Sequence, residues 1–120
     1  MQGIRGAITV NNDDKEEIIQ AVQKLVTAMI SENNISTEDI GAALFSATND
    51  LKSVFPAYAA RLLPNWEFVP LFDAQQLYVE NSLKKCIRVL LLVNTDKTQK
   101  QIQHVYLAGA SVLRPDIAKK

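Results

Sequence analysis

The sequence predicts an α+β fold, a mixed β-sheet with two main helices on one face. Three observations carry that expectation. "KKCIRVLLLV" at 84–93 has the length and the β-branched and leucine-rich content of a central strand. Residues 3–10 alternate as a strand does, with Ile4, Ile8 and Val10 on one face and Arg5, Ala7 and Thr9 on the other. Between these two runs, Ile18, Val22, Leu25 and Met29 recur at helical spacing.

The remaining elements follow in chain order. Asp13-Asp14-Lys15-Glu16 resembles a capping box, so the first helix starts there and runs until Asn33-Asn34. A second start signal at Ser36–Asp39 leads into "IGAALFSAT", short enough for a buried strand and closed by Asn49-Asp50. A second helix is expected over Ser53–Leu63, with Pro56 restricting its first turn and Pro64-Asn65 stopping it. "WEFVPLF" reads as extended, Lys85–Val93 is the strongest strand, "NTDKTQ" is its turn, and "HVYLAGASVLRPD" is a short extended tail with loops. Two helices cover only one face of so apolar a sheet, which predicts that its other face packs against a neighbouring subunit.

Composition narrows the function. At 120 residues the chain has the size of one domain, expected over 1–120. Thirteen basic residues balance thirteen acidic ones, so no basic field for nucleic acid or a membrane surface is expected. No apolar run approaches the length that crosses a bilayer. The one cysteine precludes an internal disulfide, and "MQGIRGAITV" lacks the layout of a signal peptide. A reducing cytoplasm is the expected address.

The residues that could do chemistry are few. His104 is the sole histidine, so histidine metal clusters and hydrolytic triads lack material, and a structural or solvent-facing place is expected for it. Cys86 lies within the strand run, where a free cysteine behaves as a small hydrophobe more often than as a nucleophile. The glycines at 3, 6, 41 and 109 form no phosphate-binding loop. What remains is arginine. Arg5, Arg61, Arg88 and Arg114 each sit beside apolar residues, in "GIRGA", "AARLL", "CIRVL" and "VLRPD". Such arginines can be snorkelling surface residues or structural ion-pair partners. Arg88 differs, because Cys86, Leu90 and Leu92 share its face while Ile87, Val89, Leu91 and Val93 take the other, so neither face reads as wet. A guanidinium in a dry setting needs an anion, and its fork matches a carboxylate. A small polyanionic ligand is therefore expected.

The strings "GIRGAITV", "LFSATNDLKSVFPAYAAR", "WEFVPL", "LKKCIRVLLLV" and "QIQHVYLAGASVLRPD", in that order and spacing, resemble chorismate mutase of the trimeric class with a mixed α/β barrel-like core, unrelated to the all-helical class. The resemblance covers about residues 3 to 117. It implies a pseudo-barrel homotrimer with each active site in a cleft between subunits, and the Claisen rearrangement of chorismate to prephenate without cofactor or metal. By this resemblance Arg88 would face the ether oxygen and the side-chain carboxylate, Arg5 would clamp that carboxylate, and Tyr106 would add a hydrogen bond. Phe55, Ala57 and Phe72 match cleft-lining positions, and Arg61, Leu113 and Arg114 match residues near the mouth.

Three positions depart from the family pattern. Gln76 stands where the best-known members carry a glutamate contacting the ring hydroxyl, and Asp73 stands where they carry a cysteine. Asp73 is expected to supply the displaced carboxylate, with Gln76 keeping a neutral hydrogen bond; the dull account makes Asp73 a solvated loop residue. Tyr58 replaces a common lysine near the outer carboxylate, so capture would rest more on Arg61 and Arg114, with a higher Michaelis constant. Two other functions stay open at this point: a non-catalytic chorismate-binding regulatory member, favoured by Gln76, and an unrelated small trimer using an interfacial arginine for a carboxylate substrate, such as an enamine deaminase.

Overall fold

The computed structural model describes residues 1–113, so Arg114 lies outside the described residues. The chain runs β1 (Gln2–Thr9), α1 (Lys15–Asn33), β2 (Ile40–Ala47), α2 (Pro56–Arg61), β3 (Leu71–Gln75), β4 (Cys86–Val93) and β5 (Val105–Leu107), and short 3₁₀ turns cover Thr37–Asp39, Gln99–Gln101 and Ala108–Leu113. The strands form one mixed sheet in the order β3-β2-β4-β1-β5. β4 lies in the middle, antiparallel to both β1 and β2. β5 is parallel to β1, and β3 is parallel to β2. The excursion β1-α1-β2 therefore leaves a gap between two parallel strands, and β4 fills it.

Side-chain parity decides what each face does. Ile4 and Ile8 of β1, Ala43 and Phe45 of β2, and Ile87, Val89, Leu91 and Val93 of β4 are all buried in one cluster with Ile18, Val22, Leu25, Val26 and Met29 of α1. These positions are two apart along each strand, so they leave the sheet on one side. α1 approaches closely at Gly6, where a Cβ would sit 2.5 Å from Met29 Sδ. α2 packs beside α1 over β2 and β3, so both helices occupy one face.

The helix boundaries follow from local chemistry. Asp14 is the N-cap of α1, its carboxylate accepting the Glu17 N–H at 3.0 Å, and Glu17 in turn accepts from the backbone N–H groups of Asn11 and Asn12. At the other end Asn34 adopts the left-handed conformation, φ 52°, and its N–H reaches back to the carbonyls of Ile30 and Ser31. α2 is shorter than the expected Ser53–Leu63. Pro56 occupies its first turn, where a missing N–H costs nothing, and the residue before a proline is driven out of the helical region, so the helix cannot start earlier.

"WEFVPLF" is not extended over its first half, contrary to its sequence pattern. Trp66 and Val69 are both buried in the main core, and a turn closed by the Val69 N–H to the Trp66 carbonyl at 3.1 Å carries Phe68 out to solvent. Pairing starts only where the Ala43 N–H meets the Pro70 carbonyl at 2.9 Å, and β3 follows. Only three residues of the "HVYLAGASVL" segment, Val105–Leu107, form a strand, and Ala108 at φ 53° turns the chain into a 3₁₀ stretch. No helix among the described residues is long and apolar enough to cross a membrane.

Candidate active site

The uncovered sheet face carries two rows of cross-strand neighbours. Arg88 lies opposite Ser46 of β2 and Ala7 of β1, and Ala7 lies opposite Tyr106 of β5. The next row runs Phe72, Leu44, Leu90, Arg5. Arg5 and Arg88 are thus diagonal neighbours on adjacent strands, within reach of one small ligand. Register alone brings Arg5, Arg88 and Tyr106 together from the start, middle and end of the chain.

This face is half built. Ala7, Cys86, Tyr106 and Ala110 are buried in a small second cluster, against which Leu83 and Leu113 pack. Leu113, expected near the mouth of the site, thus packs on the cluster that contains Tyr106. Leu90 and Leu92 are half-buried, while Arg5 and Arg88 are exposed and Phe72 is 64% exposed. The dry pocket expected around Arg88 is not formed by one chain. The residues flanking Arg88 in its row, Ser46 and Ala7, bear no carboxylate. Burial pushes the Cys86 thiol up, against the pull of the Arg88 guanidinium beside it, which keeps the sulfur protonated and unsuited to nucleophilic attack.

His104 has a structural task. Its Nδ1 accepts the backbone N–H of Arg5 at 2.9 Å, tying the edge of β1 to the approach to β5. Among the described residues no group of three or more histidine, cysteine, aspartate or glutamate side chains is placed to hold a metal ion.

The other expected residues collect elsewhere. A cleft of about 800 Å³ opens where the ends of β2 and β3 meet the start of α2, and Phe55, Tyr58 and Asp73 line it. Asp73 pairs with Phe45, a helix-face residue, and its carboxylate accepts the Ala57 N–H at 3.0 Å. Asp73 thereby joins β3 to the first turn of α2. Burial raises its pKa, opposed by the Ala57 N–H and by the Arg61 charge. Ala57 is itself buried. Arg5, Arg88 and Tyr106 do not line this cleft.

Gln76 sits in a third place. It lines a cavity of about 300 Å³ with Thr48, Asp50, Leu83 and Lys85. Its Oε1 is buried without a hydrogen-bond partner, an arrangement that costs roughly 1–3 kcal/mol unless a donor arrives. Asp73 and Gln76, expected to reach the same part of one ligand, face two different cavities of the chain. The reason is the strand period: Asp73 points to the helix side of β3, and Gln76 lies beyond the end of the strand. Two lysines that sequence reasoning did not single out, Lys15 and Lys52, also line the larger cleft. Lys15 carried one signal, a cation in the first turn of a helix, where the macrodipole disfavours positive charge.

Comparison with known proteins identifies the family and the fold. Residues 1–117 match the family model of chorismate mutase type I. The chain is 49% identical over 118 residues to chorismate mutase AroH of Bacillus subtilis, spanning 98% of this chain and 93% of that protein. It is 48% identical to chorismate mutase AroH of Thermus thermophilus, spanning 98% and 96%. A chorismate mutase from Clostridium thermocellum has the same fold with a TM-score of 0.90 at 44% identity, over 93% of this chain and 99% of that one.

Proposed function

Because the chain belongs to the chorismate mutase type I family, it is an isomerase that rearranges chorismate to prephenate, and we propose that its active sites form between the protomers of a cytoplasmic homotrimer. The single observation that carries this reading is the split site. Arg5, Arg88 and Tyr106 occupy the uncovered sheet face, whereas Phe55, Tyr58 and Asp73 line a cleft on which none of the three opens. Apposing the arginine face of one protomer to the cleft of the next joins the halves. It also covers Phe72 and the half-buried leucines, and gives the guanidiniums the dry surroundings in which a charge is most effective.

The reaction explains why so few chemical groups suffice. A C–O bond breaks while a C–C bond forms within one molecule, and no proton is transferred. The protein must hold a flexible dicarboxylate in its folded conformer and stabilise the negative charge that grows on the ether oxygen. In this reading Arg88 donates to that oxygen and to the side-chain carboxylate, Arg5 clamps the same carboxylate, and the Tyr106 hydroxyl adds a hydrogen bond. A preorganised cation lowers such a barrier by about 3–4 kcal/mol and restraint supplies several more, so together they approach the roughly 8 kcal/mol of a million-fold acceleration. From the cleft of the apposed protomer Asp73 supplies the carboxylate that balances positive charge on the ring, while Gln76, which faces a separate cavity of its chain, offers its unpartnered Oε1 as an acceptor for a ligand donor. Arg61 and Leu113 close the mouth. The ligand is a small dianion, and neither nucleic acid nor a membrane takes part.

The test combines turnover with assembly. Loss of chorismate absorbance with appearance of prephenate, together with a trimer mass in sedimentation, is the expected result. A fully active monomer under the assay conditions would overturn the shared site.

A further inference from the structure

The Lys15 ammonium stands over the Tyr58 ring, 5.8 Å from its centroid, at the rim of the 800 Å³ cleft. From this placement we infer that Lys15 is a substrate-capture residue, a cation brought from the first turn of α1 to receive the outer carboxylate of the dianionic substrate. The inference rests on the cleft being half of the mutase site.

Three observations support it. Lys15 is the first residue of α1, where backbone N–H groups already concentrate positive charge, so a lysine there is locally unfavourable and calls for a reason beyond the helix. Three of the four nearby acids are otherwise engaged, and the fourth, Glu16, is exposed at the next helix position, where successive side chains do not face each other. Asp14 accepts the Glu17 N–H, Glu17 accepts from Asn11 and Asn12, and Asp13 accepts the N–H groups of Lys52 and Ser53 at 2.9 and 3.0 Å. The Asp13 contacts also pin the loop before α2 to the loop before α1, which sets Lys15 beside Tyr58. Finally, the charged residues lining the cleft are Lys15, Lys52 and Asp73, and the Asp73 carboxylate is already met by the Ala57 N–H and by the field of Arg61. The cleft thus presents positive charge that its own carboxylate does not absorb.

Tyr58 gives this cation a fixed station. The ring face attracts an ammonium without neutralising it, and the long lysine stem lets the charge move from the ring to an arriving carboxylate. Lys15 and Tyr58 thereby act as one unit, a cation and its holder, drawn from two helices.

The test is steady-state kinetics on chorismate for the wild type, Lys15→Gln, Lys15→Arg and the double variant Lys15→Gln/Tyr58→Lys. Lys15→Gln is expected to raise KM about fivefold with kcat retained, and to flatten the rise of KM with ionic strength. Lys15→Arg, and a lysine placed directly at position 58 in the double variant, should each restore most of the loss. Removing a cation from a helix start does not destabilise the helix, so a thermal midpoint at or above the wild type separates a binding effect from a folding one. An unchanged KM and salt dependence in Lys15→Gln, in an enzyme whose wild type turns chorismate over, overturns this inference alone. A folded wild type that leaves chorismate unconverted overturns the mutase reading, and this inference with it.

Discussion

Arg5 and Arg88 stand on the same face of adjacent antiparallel strands, Arg5 opposite Leu90 and Arg88 opposite Ala7. Their side chains are therefore diagonal neighbours, although 83 positions separate them in sequence, and Tyr106 joins them through Ala7. Strand backbone holds all three, which suits a site that must present fixed charge without reorganising during the reaction.

Arg88 is exposed in the single chain, and the buried Cys86 thiol beside it keeps the Ile87 carbonyl as a partner when the guanidinium is removed. Arg88→Ala is expected to cut kcat by about 10²–10³-fold or more, while the urea midpoint stays near that of the wild type. Turnover within a few-fold of normal would remove Arg88 from the chemistry.

For Asp73 the sign of the pH effect can be worked out. Burial holds its carboxyl above the ordinary value, so between that value and the raised one the folded chain binds more protons than the unfolded chain. The contribution of Asp73 to stability is present below the ordinary carboxylate value and is lost as pH rises through the raised one. Asp73→Asn keeps an acceptor for the Ala57 N–H and should abolish that loss, seen as a flatter plot of denaturation midpoint against pH.

The catalytic role of Asp73 needs a separate measurement. Asp73→Asn is expected to lower kcat about tenfold, and Asp73→Asn/Gln76→Glu to recover part of it by returning a carboxylate to the other cavity. Unchanged turnover in Asp73→Asn would leave this residue as a strut for α2 only.

Asn33 is fully buried, and its amide bridges α1 to the lead-in of β5. Nδ2 donates to the carbonyls of Met29 and Gln103, and Oδ1 accepts the Gln103 N–H, each at 2.8 Å. Asn33→Ala leaves the Gln103 N–H and carbonyl without this partner and should cost about 1–3 kcal/mol in chemical denaturation. A smaller change would mean that water takes over the bridge.

Gly6 sits under α1, with Leu25 Cδ1 at 3.1 Å and Met29 Sδ at 2.5 Å from where a Cβ would be. Gly6→Ala is expected to destabilise by about 1–3 kcal/mol, because α1 must lift or Met29 must leave its rotamer. A midpoint equal to the wild type would show that the helix yields freely at this point.

Much of this was legible in the residues themselves. The faces of β1 and β4 follow from alternation, α1 follows from its apolar spacing with Asp14 and Asn34 at its ends, and the arginines stand out because they interrupt apolar runs. Such signals are local, since side-chain direction repeats every two residues in a strand and every 3.6 in a helix. The turn at Trp66–Val69 was not legible, because both residues suit a strand as well as a core-facing turn, and only their burial in the shared core selects the turn. Nor was the separation of Asp73 from Gln76, or the meeting of Lys15 with Tyr58. These depend on strand order and on the Asp13 contacts to residues 52 and 53. Periodicity tells which way each side chain leaves its own element; which remote side chains then meet is decided by the packing of sheet and helices, where burial of the shared core outweighs any preference of a single segment.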